Sequence, residues 1–318
     1  MTTTRFLVTG AAGFIGSHFV NDLLGPGSPP DTEITVLDAL TYAGDTAHLD
    51  AVAADARLRF VHGDITDAPL VAALMSPGCV VVNFAAESHV DRSIADAGTF
   101  VRTNVTGTHV LLDAALTAGA RCFLQVSTDE VYGSIDHGAW TEDAPVAPNS
   151  PYAASKAAAD LLALAYARTH GLDVRITRCS NNYGSHQHPE KLIPLFVTTL
   201  LAGGTVPLYG DGGNVRDWLH VSDHCRAIRL VLERGRAGEV YNVGGGTQLT
   251  NRELTALLLD ACGADWDSVR HVEDRKGHDR RYCVDDGKLR RLGYRPRVDF
   301  ERGLAETVRW YADVTAGR

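Results

Sequence analysis

The chain has 318 residues, of which 45% are hydrophobic and 22% are charged, and its formal net charge is −9. These values are typical of a globular protein with a substantial core, and the negative charge argues against nonspecific binding to nucleic acid or anionic membranes. No apolar run approaches the ~18 residues that a membrane-spanning helix needs. No basic face or aromatic platform favours nucleic acid. We therefore expect neither nucleic acid nor a membrane as a partner.

The six cysteines are far apart in the sequence, and none of them forms a Cys-x-x-Cys pair. This spacing predicts free thiols in a reducing compartment and gives no zinc site. The first residues run straight into a predicted strand, which we interpret as the absence of a signal peptide. The sequence thus predicts a cytoplasmic protein without a metal.

Short apolar runs alternate with helical patterns along the first part of the chain. Strands are predicted at residues 6–9, 34–37, 58–62, 80–84, 122–127 and 174–179, and helices at residues 13–24, 99–118 and 152–170. Strands this apolar must be covered on both faces, and the intervening helices supply that cover. The pattern predicts an α/β fold with a doubly wound, mostly parallel, Rossmann-like sheet.

Three glycines, Gly10, Gly13 and Gly16, lie between the first predicted strand and the first predicted helix. Such glycines allow a tight turn, close approach of the backbone to a pyrophosphate, and close packing of helix on sheet. The amides at the start of the helix can then bind the phosphates. The spacing differs from the commoner dinucleotide pattern, which has one residue between the first two glycines.

Two carboxylates strengthen the prediction of a dinucleotide site. Asp38 ends the second predicted strand, where it can accept hydrogen bonds from the adenosine ribose and repel a 2′-phosphate, so NAD is predicted rather than NADP. Asp64 ends the third predicted strand and is a candidate for the adenine edge. The alternative is that Asp38 and Asp64 only cap helices or stabilise turns.

Tyr152 and Lys156 lie four residues apart on one face of a predicted helix. A neighbouring ammonium favours the phenolate, so we expect Lys156 to lower the pKa of Tyr152 into a range useful for proton transfer. Thr128, Asp129 and Glu130 follow the fifth predicted strand. In a regular strand the middle side chain would face away from the other two. All three can reach one substrate only if the strand has already turned into a loop.

The chain resembles the extended short-chain dehydrogenase/reductases and, within them, the dTDP-glucose 4,6-dehydratases. The resemblance covers essentially the whole chain and is carried by the glycine loop, the Tyr/Lys pair and residues 85–91, 126–133, 178–184, 189–194, 216–218, 241–245 and 277–282. It implies an NAD-dependent hydro-lyase that converts dTDP-glucose into dTDP-4-keto-6-deoxyglucose without net redox change. A homodimer with helices 99–118 and 152–170 at its interface is also implied.

The resemblance also implies the role of each catalytic residue. Tyr152 would remove the proton of the C4 hydroxyl, which Thr128 holds, while hydride leaves C4 for NAD and Lys156 binds the nicotinamide ribose. Glu130 would then abstract the C5 proton while Asp129 protonates the departing C6 hydroxyl. Hydride would finally return to C6. Two carboxylates are needed because one accepts a proton as the other donates one.

The binding residues that the resemblance implies fall into two sets. Those for NAD are Gly10, Gly13, Phe14, Ile15, Gly16, Asp38, Leu40, Thr41, Asp64, Ile65, Ala85, Ala86, Ser88, Thr103, Tyr152, Lys156 and Asn182. Those for the nucleotide sugar are Ser88, Thr128, Asn181, Lys191, Leu192, Pro207, Tyr209, Arg216, Asn251, Arg275 and His278. One departure is Lys276, which stands where the family usually has proline, so the closing loop is expected to be more flexible.

We expect residues 1–180 to form the NAD-binding domain with the catalytic residues. Residues 181–318, which are richer in Gly, Pro and Arg and contain a last predicted helix at 300–312, should form mainly the nucleotide-sugar-binding lobe. Some crossing back of the chain is expected.

Several alternatives stay open at the level of the sequence. Another nucleotide-sugar 4,6-dehydratase, or a UDP-sugar 4-epimerase or decarboxylase, would use the same Tyr152 and Lys156, although epimerases and decarboxylases usually carry a small or hydroxyl residue at position 129. A noncatalytic NAD-binding regulator would be expected to have lost the Tyr/Lys pair. Arg216 could form only a surface ion pair, and Asn251 could only cap a helix.

Overall fold

The computed structural model describes residues 3–317. Its strands are β1 (Thr4–Thr9), β2 (Thr32–Asp38), β3 (Leu58–His62), β4 (Val80–Asn83), β5 (Cys122–Thr128), β6 (Val174–Cys179), β7 (Asn181–Tyr183), β8 (Val206–Tyr209), β9 (Val215–His220), β10 (Glu239–Val243), β11 (Thr247–Thr250) and β12 (Val269–Val272). Its α-helices are α1 (Phe14–Leu24), α2 (Ala68–Leu74), α3 (Val90–Ala95), α4 (Ala97–Phe100), α5 (Thr108–Ala118), α6 (Pro151–His170), α7 (Leu192–Leu201), α8 (Val221–Arg234), α9 (Asn251–Cys262), α10 (Gly287–Arg291) and α11 (Phe300–Thr315). Among the described residues, no helix is both long and apolar enough to span a membrane.

The main sheet has seven parallel strands in the order β10-β6-β5-β4-β1-β2-β3. Successive residues such as Val81 and Val82 point to opposite faces, and both are fully buried because helices cover each face. Helices α1 and α8 lie on one face and α2, α5 and α6 on the other. This arrangement confirms the predicted doubly wound sheet. The strand order reverses between β1 and β4, which places a crevice at their carboxyl ends.

Helix α6 begins and ends with the residues that its sequence favours. The Ser150 hydroxyl accepts a hydrogen bond from the Ala153 N–H at 3.1 Å, Pro151 occupies the first turn, and Gly171 ends the helix with a φ of 72°. The helix therefore begins at Pro151. Its first turns place Tyr152 and Lys156 in the crevice, together with residues at the end of β5.

The predicted helix at residues 99–118 is interrupted in the structure by a π-helical segment, Val101–Gly107. Within that segment the Asn104 side chain bonds both backbone groups of Glu87, accepting from its N–H at 2.9 Å and donating to its C=O at 3.0 Å. Asn104 also donates to the Ser155 hydroxyl at 2.8 Å. Through Asn104, the π-helical segment thus holds the segment after β4 against α6. A local helical pattern in the sequence does not reveal this interruption.

The smaller lobe contains the sheet β11-β9-β7 and the pair β8–β12. Its core is formed by α7, α9 and α11 around residues such as Tyr183, Phe196, Trp218, Leu254 and Leu304. The chain crosses back into the main sheet, because β10 pairs with β6 and the apolar faces of α8 and α10 belong to the core of the first part. The division at residue 180 stays a prediction.

Candidate active site

A cavity lies at the carboxyl ends of β1, β2, β4 and β5, where the glycine loop meets the segment after β4. Gly10 has a φ of 68°, and a Cβ there would lie 2.5 Å from the Ala85 nitrogen. A Cβ on Gly16 would lie 2.5 Å from the Gly10 carbonyl oxygen. Only glycine fits these two positions, so the loop can turn tightly and α1 can pack close to the sheet.

The residues that were predicted to bind NAD line this cavity with one exception. The lining includes Gly10, Gly13, Phe14, Ile15, Gly16, Asp38, Thr41, Asp64, Ile65, Ala85, Ala86, Ser88, Thr103, Tyr152, Lys156 and Asn182. Leu40 is not among the lining residues, and its contact with NAD stays a prediction. Its φ of 49° is unusual for a residue with a side chain, and its N–H donates to Asp38 Oδ1 at 2.8 Å.

Asp38 joins the end of β2 to the glycine loop. Its Oδ2 accepts a hydrogen bond from the Ala12 N–H at 2.8 Å, while its Oδ1 accepts the one from Leu40. Each oxygen keeps a lone pair for a further donor, such as a ribose hydroxyl. Asp38 therefore serves a structural purpose as well as lining the cavity.

Replacing Asp38 by alanine is expected to weaken NAD binding about 10- to 100-fold, since a hydrogen bond to a charged group contributes about 1.5–3 kcal/mol. Discrimination against NADP should also relax, because the carboxylate that repels a 2′-phosphate is gone. Calorimetric titration of the cofactor-free variant with each cofactor measures both effects. Asp45→Ala, which removes only an exposed turn acceptor nearby, is the control. Unchanged NAD affinity in Asp38→Ala would make Asp38 a turn residue only.

Strand β5 ends at Thr128, and a 3₁₀ turn, Asp129–Tyr132, follows immediately. The Thr128 hydroxyl accepts a hydrogen bond from the Glu130 N–H at 3.3 Å and so caps this turn. Because the backbone leaves the strand conformation here, Thr128, Asp129 and Glu130 all line the cavity. From the sequence, we expected the three side chains to share one site only if the strand had turned into a loop here, and the structure shows that turn.

Tyr152 and Lys156 line the same cavity from α6. The ammonium of Lys156 donates a hydrogen bond to the Val126 carbonyl oxygen at 2.7 Å. Burial raises the pKa of Tyr152 well above its usual value, and the nearby Glu130 carboxylate adds to the increase. The predicted lowering of this pKa is therefore wrong for the protein groups alone, because burial and the Glu130 carboxylate raise the pKa.

The two carboxyl groups of the turn have different electrostatic surroundings. Burial raises the pKa of Asp129 well above its usual value, and Glu130 and Asp217 raise it further. Burial also raises the pKa of Glu130, but the charges of Arg216 and Lys191 oppose that increase. These surroundings favour the protonated form more strongly at Asp129 than at Glu130, as an acid–base pair requires.

A second cavity opens beside the first and shares Ser88, Glu130, Asn181 and Lys191 with it. The other predicted sugar-nucleotide residues that line it are Leu192, Pro207, Tyr209, Arg216, Asn251, Arg275 and His278. Thr128 lines only the first cavity. The cationic side chains of this second cavity can bind a diphosphate despite the negative charge of the whole chain.

The structure decides between the alternatives for two of these residues. Arg216 is only 7% exposed, donates to the Asp279 carbonyl oxygen at 3.0 Å and lies over the Tyr282 ring, so it is not a surface ion pair. The capping residue of α9 is Thr250, whose side chain accepts from the Glu253 N–H. Asn251 is therefore free of the capping role and faces the cavity.

The segment that closes the second cavity is tied to the opposite wall. Arg275 donates to Asp91 Oδ2 at 3.0 Å, and its guanidinium lies 5.0 Å from the centre of the Tyr209 ring. Lys276 is exposed and lines neither cavity, so the extra cation faces water. Gly277 keeps a φ of 65°, which suits glycine.

Sequence reasoning missed several residues that line the two cavities. These are Glu87, Gln187, His188, Cys179 and Ser180 in the first, and His89, Asp91, Glu190, Trp218, Asp279 and Tyr282 in the second. Most of them lie within the segments that carried the family resemblance, so a signal was present but was not assigned residue by residue. Within residues 3–317, no cluster of three His, Cys, Asp or Glu side chains could hold a metal.

Comparison with known proteins agrees with this geometry. The family model described as GDP-mannose 4,6 dehydratase matches residues 7–307. The dTDP-glucose 4,6-dehydratase of Streptomyces griseus is 64% identical over 97% of this chain and 94% of its own length. The crystal structure of DesIV, the dTDP-glucose 4,6-dehydratase of Streptomyces venezuelae with NAD bound, has a TM-score of 0.96 at 65% identity and covers 99% of this chain and 98% of its own.

The fold alone does not separate dehydratases from epimerases. The UDP-glucose 4-epimerase of Thermotoga maritima has a TM-score of 0.89, with 32% identity over 98% of this chain and 99% of its own. Identity twice as high over nearly the full length of both chains places the protein with the dehydratases. The chain therefore belongs to the dTDP-glucose 4,6-dehydratase family.

Proposed function

We propose that this protein dehydrates dTDP-glucose to dTDP-4-keto-6-deoxyglucose and uses NAD that stays bound between turnovers. One observation carries the proposal: the Asp129–Glu130 pair lies in the same cavity as Tyr152 and Lys156. The Tyr/Lys pair suffices for oxidation and reduction at one carbon. Loss of water also requires a base that removes a proton from one carbon and an acid that protonates the hydroxyl leaving the neighbouring carbon.

The first cavity fits a dinucleotide. Its glycine loop leaves no room for side chains where a pyrophosphate would approach, and Asp38 faces the place of the adenosine ribose. When bound, NAD supplies the hydride acceptor for C4 and, in reduced form, the hydride donor for C6. Because NAD returns to the oxidised state in each turnover, the cofactor can stay bound from one turnover to the next.

The side chains would act in sequence on one substrate. Tyr152 takes the proton of the C4 hydroxyl while Thr128 holds that hydroxyl and Lys156 fixes the nicotinamide ribose. The C4 ketone acidifies C5, and Glu130 removes the C5 proton while Asp129 protonates the leaving C6 hydroxyl. The stronger increase of the pKa at Asp129 than at Glu130 supports this division of roles.

The second cavity supports a nucleoside diphosphate on the sugar. Arg216, Arg275 and Lys191 offer cationic donors for the phosphates, and Pro207 and Tyr209 offer an apolar wall for the base. Thymidine is proposed over uridine because the similar Streptomyces enzymes are dTDP-glucose 4,6-dehydratases.

We also propose a homodimer, formed through α5 and α6. Exposed apolar side chains on this side of the molecule, Ile94, Val101 and Leu161, are between 45% and 53% exposed and would be covered by a partner.

A cytoplasmic location is proposed because the six cysteines are free, five of them buried. Residues 1–180 would mainly bind NAD and residues 181–318 mainly the nucleotide sugar.

The function is tested by incubating the purified protein, without added cofactor, with dTDP-glucose, UDP-glucose and GDP-mannose. Mass spectrometry and NMR should reveal a 4-keto-6-deoxy product, lighter by one water, from dTDP-glucose. Denaturing the protein should release NAD. A product of unchanged mass would indicate an epimerase, and a requirement for stoichiometric added cofactor, or release of NADP, would contradict the retained NAD.

A further inference from the structure

A fully buried ion pair lies beneath the catalytic lysine. Asp160 follows Lys156 by one turn on α6, on the same face of the helix. Its side chain has 0% exposure, and its Oδ2 accepts a hydrogen bond from Arg178 Nε at 2.9 Å. The Arg178 side chain is only 4% exposed. Buried ion pairs do little for stability compared with apolar packing, so this pair calls for a functional explanation.

The ion pair also touches the end of β5. Arg178 on β6 is the register partner of Ser127 on β5, next to the residue whose carbonyl oxygen accepts from Lys156. Neither Asp160 Oδ1 nor the Ser127 hydroxyl has a hydrogen-bond partner among the described residues, although both are buried. The lysine ammonium has three N–H donors, and one of them is used by Val126. The Asp160 carboxylate thus keeps a free acceptor one helical turn from an ammonium with donors to spare.

The network continues from Arg178 to the turn that carries the two carboxyl groups. The guanidinium of Arg178 lies 4.7 Å from the centre of the Tyr132 ring. Tyr132 ends the 3₁₀ turn Asp129–Tyr132, and its hydroxyl donates to Asn242 Oδ1 at 2.9 Å. A buried chain of contacts therefore connects Asp160, one helical turn from the lysine used for oxidation, with the turn used for elimination.

We propose that Asp160 is a positioning residue for the dehydration. Held by Arg178, it stabilises the charged ammonium of Lys156 across one helical turn and, through Arg178 and Tyr132, the turn that bears Asp129 and Glu130. This inference rests on the proposed function and assigns a role to a side chain that lines neither cavity.

Charge gives the proposal a measurable consequence. Burial lowers the pKa of Lys156, and the Asp160 carboxylate is the largest influence that opposes this. The ionisable groups near the lysine and Asp160 are Tyr152, one turn earlier on α6, Cys179 and Arg178 on β6, and Tyr132 on the turn. Without the carboxylate, the ammonium loses its proton at a lower pH. Activity that needs the ammonium should then decline at a lower pH than in the wild type.

The test is the pH profile of kcat for Asp160→Asn. We expect kcat to fall about 10-fold, in the middle of the range of couplings within one buried network, with the KM for dTDP-glucose little changed. The alkaline limb of the profile should move to lower pH, and reduced cofactor should form more slowly in a single turnover. Asp160→Glu, which keeps the charge, should restore the position of the alkaline limb.

A double variant separates positioning from stability. Asp160→Asn leaves the Arg178 charge unpaired, whereas Asp160→Asn/Arg178→Met removes both buried charges and should recover much of the lost thermal stability. We expect its kcat and alkaline limb to stay impaired. Wild-type kcat and profile in the stable double variant, or an unmoved alkaline limb in a folded Asp160→Asn, would overturn the proposal.

Asp173→Asn is the matched control, because it breaks the Asp173–Arg175 pair at the opposite end of the same strand. Its pH profile should equal that of the wild type. If the wild type does not dehydrate dTDP-glucose, the proposed function fails. If it does, the pH profiles of the variants relative to the wild type test the role of Asp160 alone.

Discussion

The Tyr152→Phe variant is expected to form reduced cofactor about 10²–10⁴-fold more slowly than the wild type when it is mixed with dTDP-glucose, even in a single turnover. Phenylalanine fills nearly the same volume at this buried position, which is 9% exposed, but lacks the oxygen that accepts the C4 proton. A general base contributes about 10²–10⁴-fold, and Lys156, which also lines the cavity from α6, donates to the Val126 carbonyl oxygen instead.

Stopped-flow absorbance of the reduced nicotinamide measures this step directly. Tyr166→Phe is the control, because it removes a hydroxyl from the same helix, where Tyr166 bonds only His109. Transient reduction at the wild-type rate in Tyr152→Phe would place the base elsewhere.

Asp129→Asn and Glu130→Gln are expected to separate oxidation from elimination. Both substitutions preserve shape and remove a group that transfers a proton, so overall turnover should fall by about 10²–10⁴-fold. Oxidation at C4 depends on Tyr152 and Lys156, so both variants should still accumulate reduced cofactor and a 4-keto-glucose intermediate. Exchange of the C5 proton with heavy water should fall most in Glu130→Gln.

Stopped-flow absorbance and mass spectrometry in heavy water follow the two stages. Asp136→Asn changes an exposed acid of the loop that follows the same turn and serves as the control. Dehydration near the wild-type rate in both variants would show that the pair is not the acid and base, and the epimerase reading would gain support.

Local pattern was enough to predict the strands of the sheet and the start of α6. The predicted strands at residues 58–62 and 174–179 agree with β3 and β6 to the residue, because apolar runs with turn signals at both ends mark them. The strand β10 was not predicted as part of the main sheet. Its pairing with β6 joins segments far apart in the sequence, and only the path of the whole chain brings them together.

The composition of the site was predictable, but its electrostatics were not. The glycine loop and the Tyr/Lys pair have fixed spacings, so sequence alone placed them in one crevice. The pKa of Tyr152 depends on burial and on Glu130, which is contributed by a different element. Likewise, Asp129 and Glu130 differ because Asp217 raises the pKa of the first and Lys191 lowers that of the second, and both reach the turn from the smaller lobe or its border.

We propose that one bound cofactor carries a hydrogen from C4 of the sugar to C6 of the same sugar, with water lost in between. The most direct test uses dTDP-glucose with deuterium at C4 and locates the label in the product by NMR. We predict a 4-keto-6-deoxy product with the deuterium at C6 and a solvent proton at C5. Deuterium that stays at C4 in a sugar of unchanged mass, or that is lost to the solvent, would contradict the account.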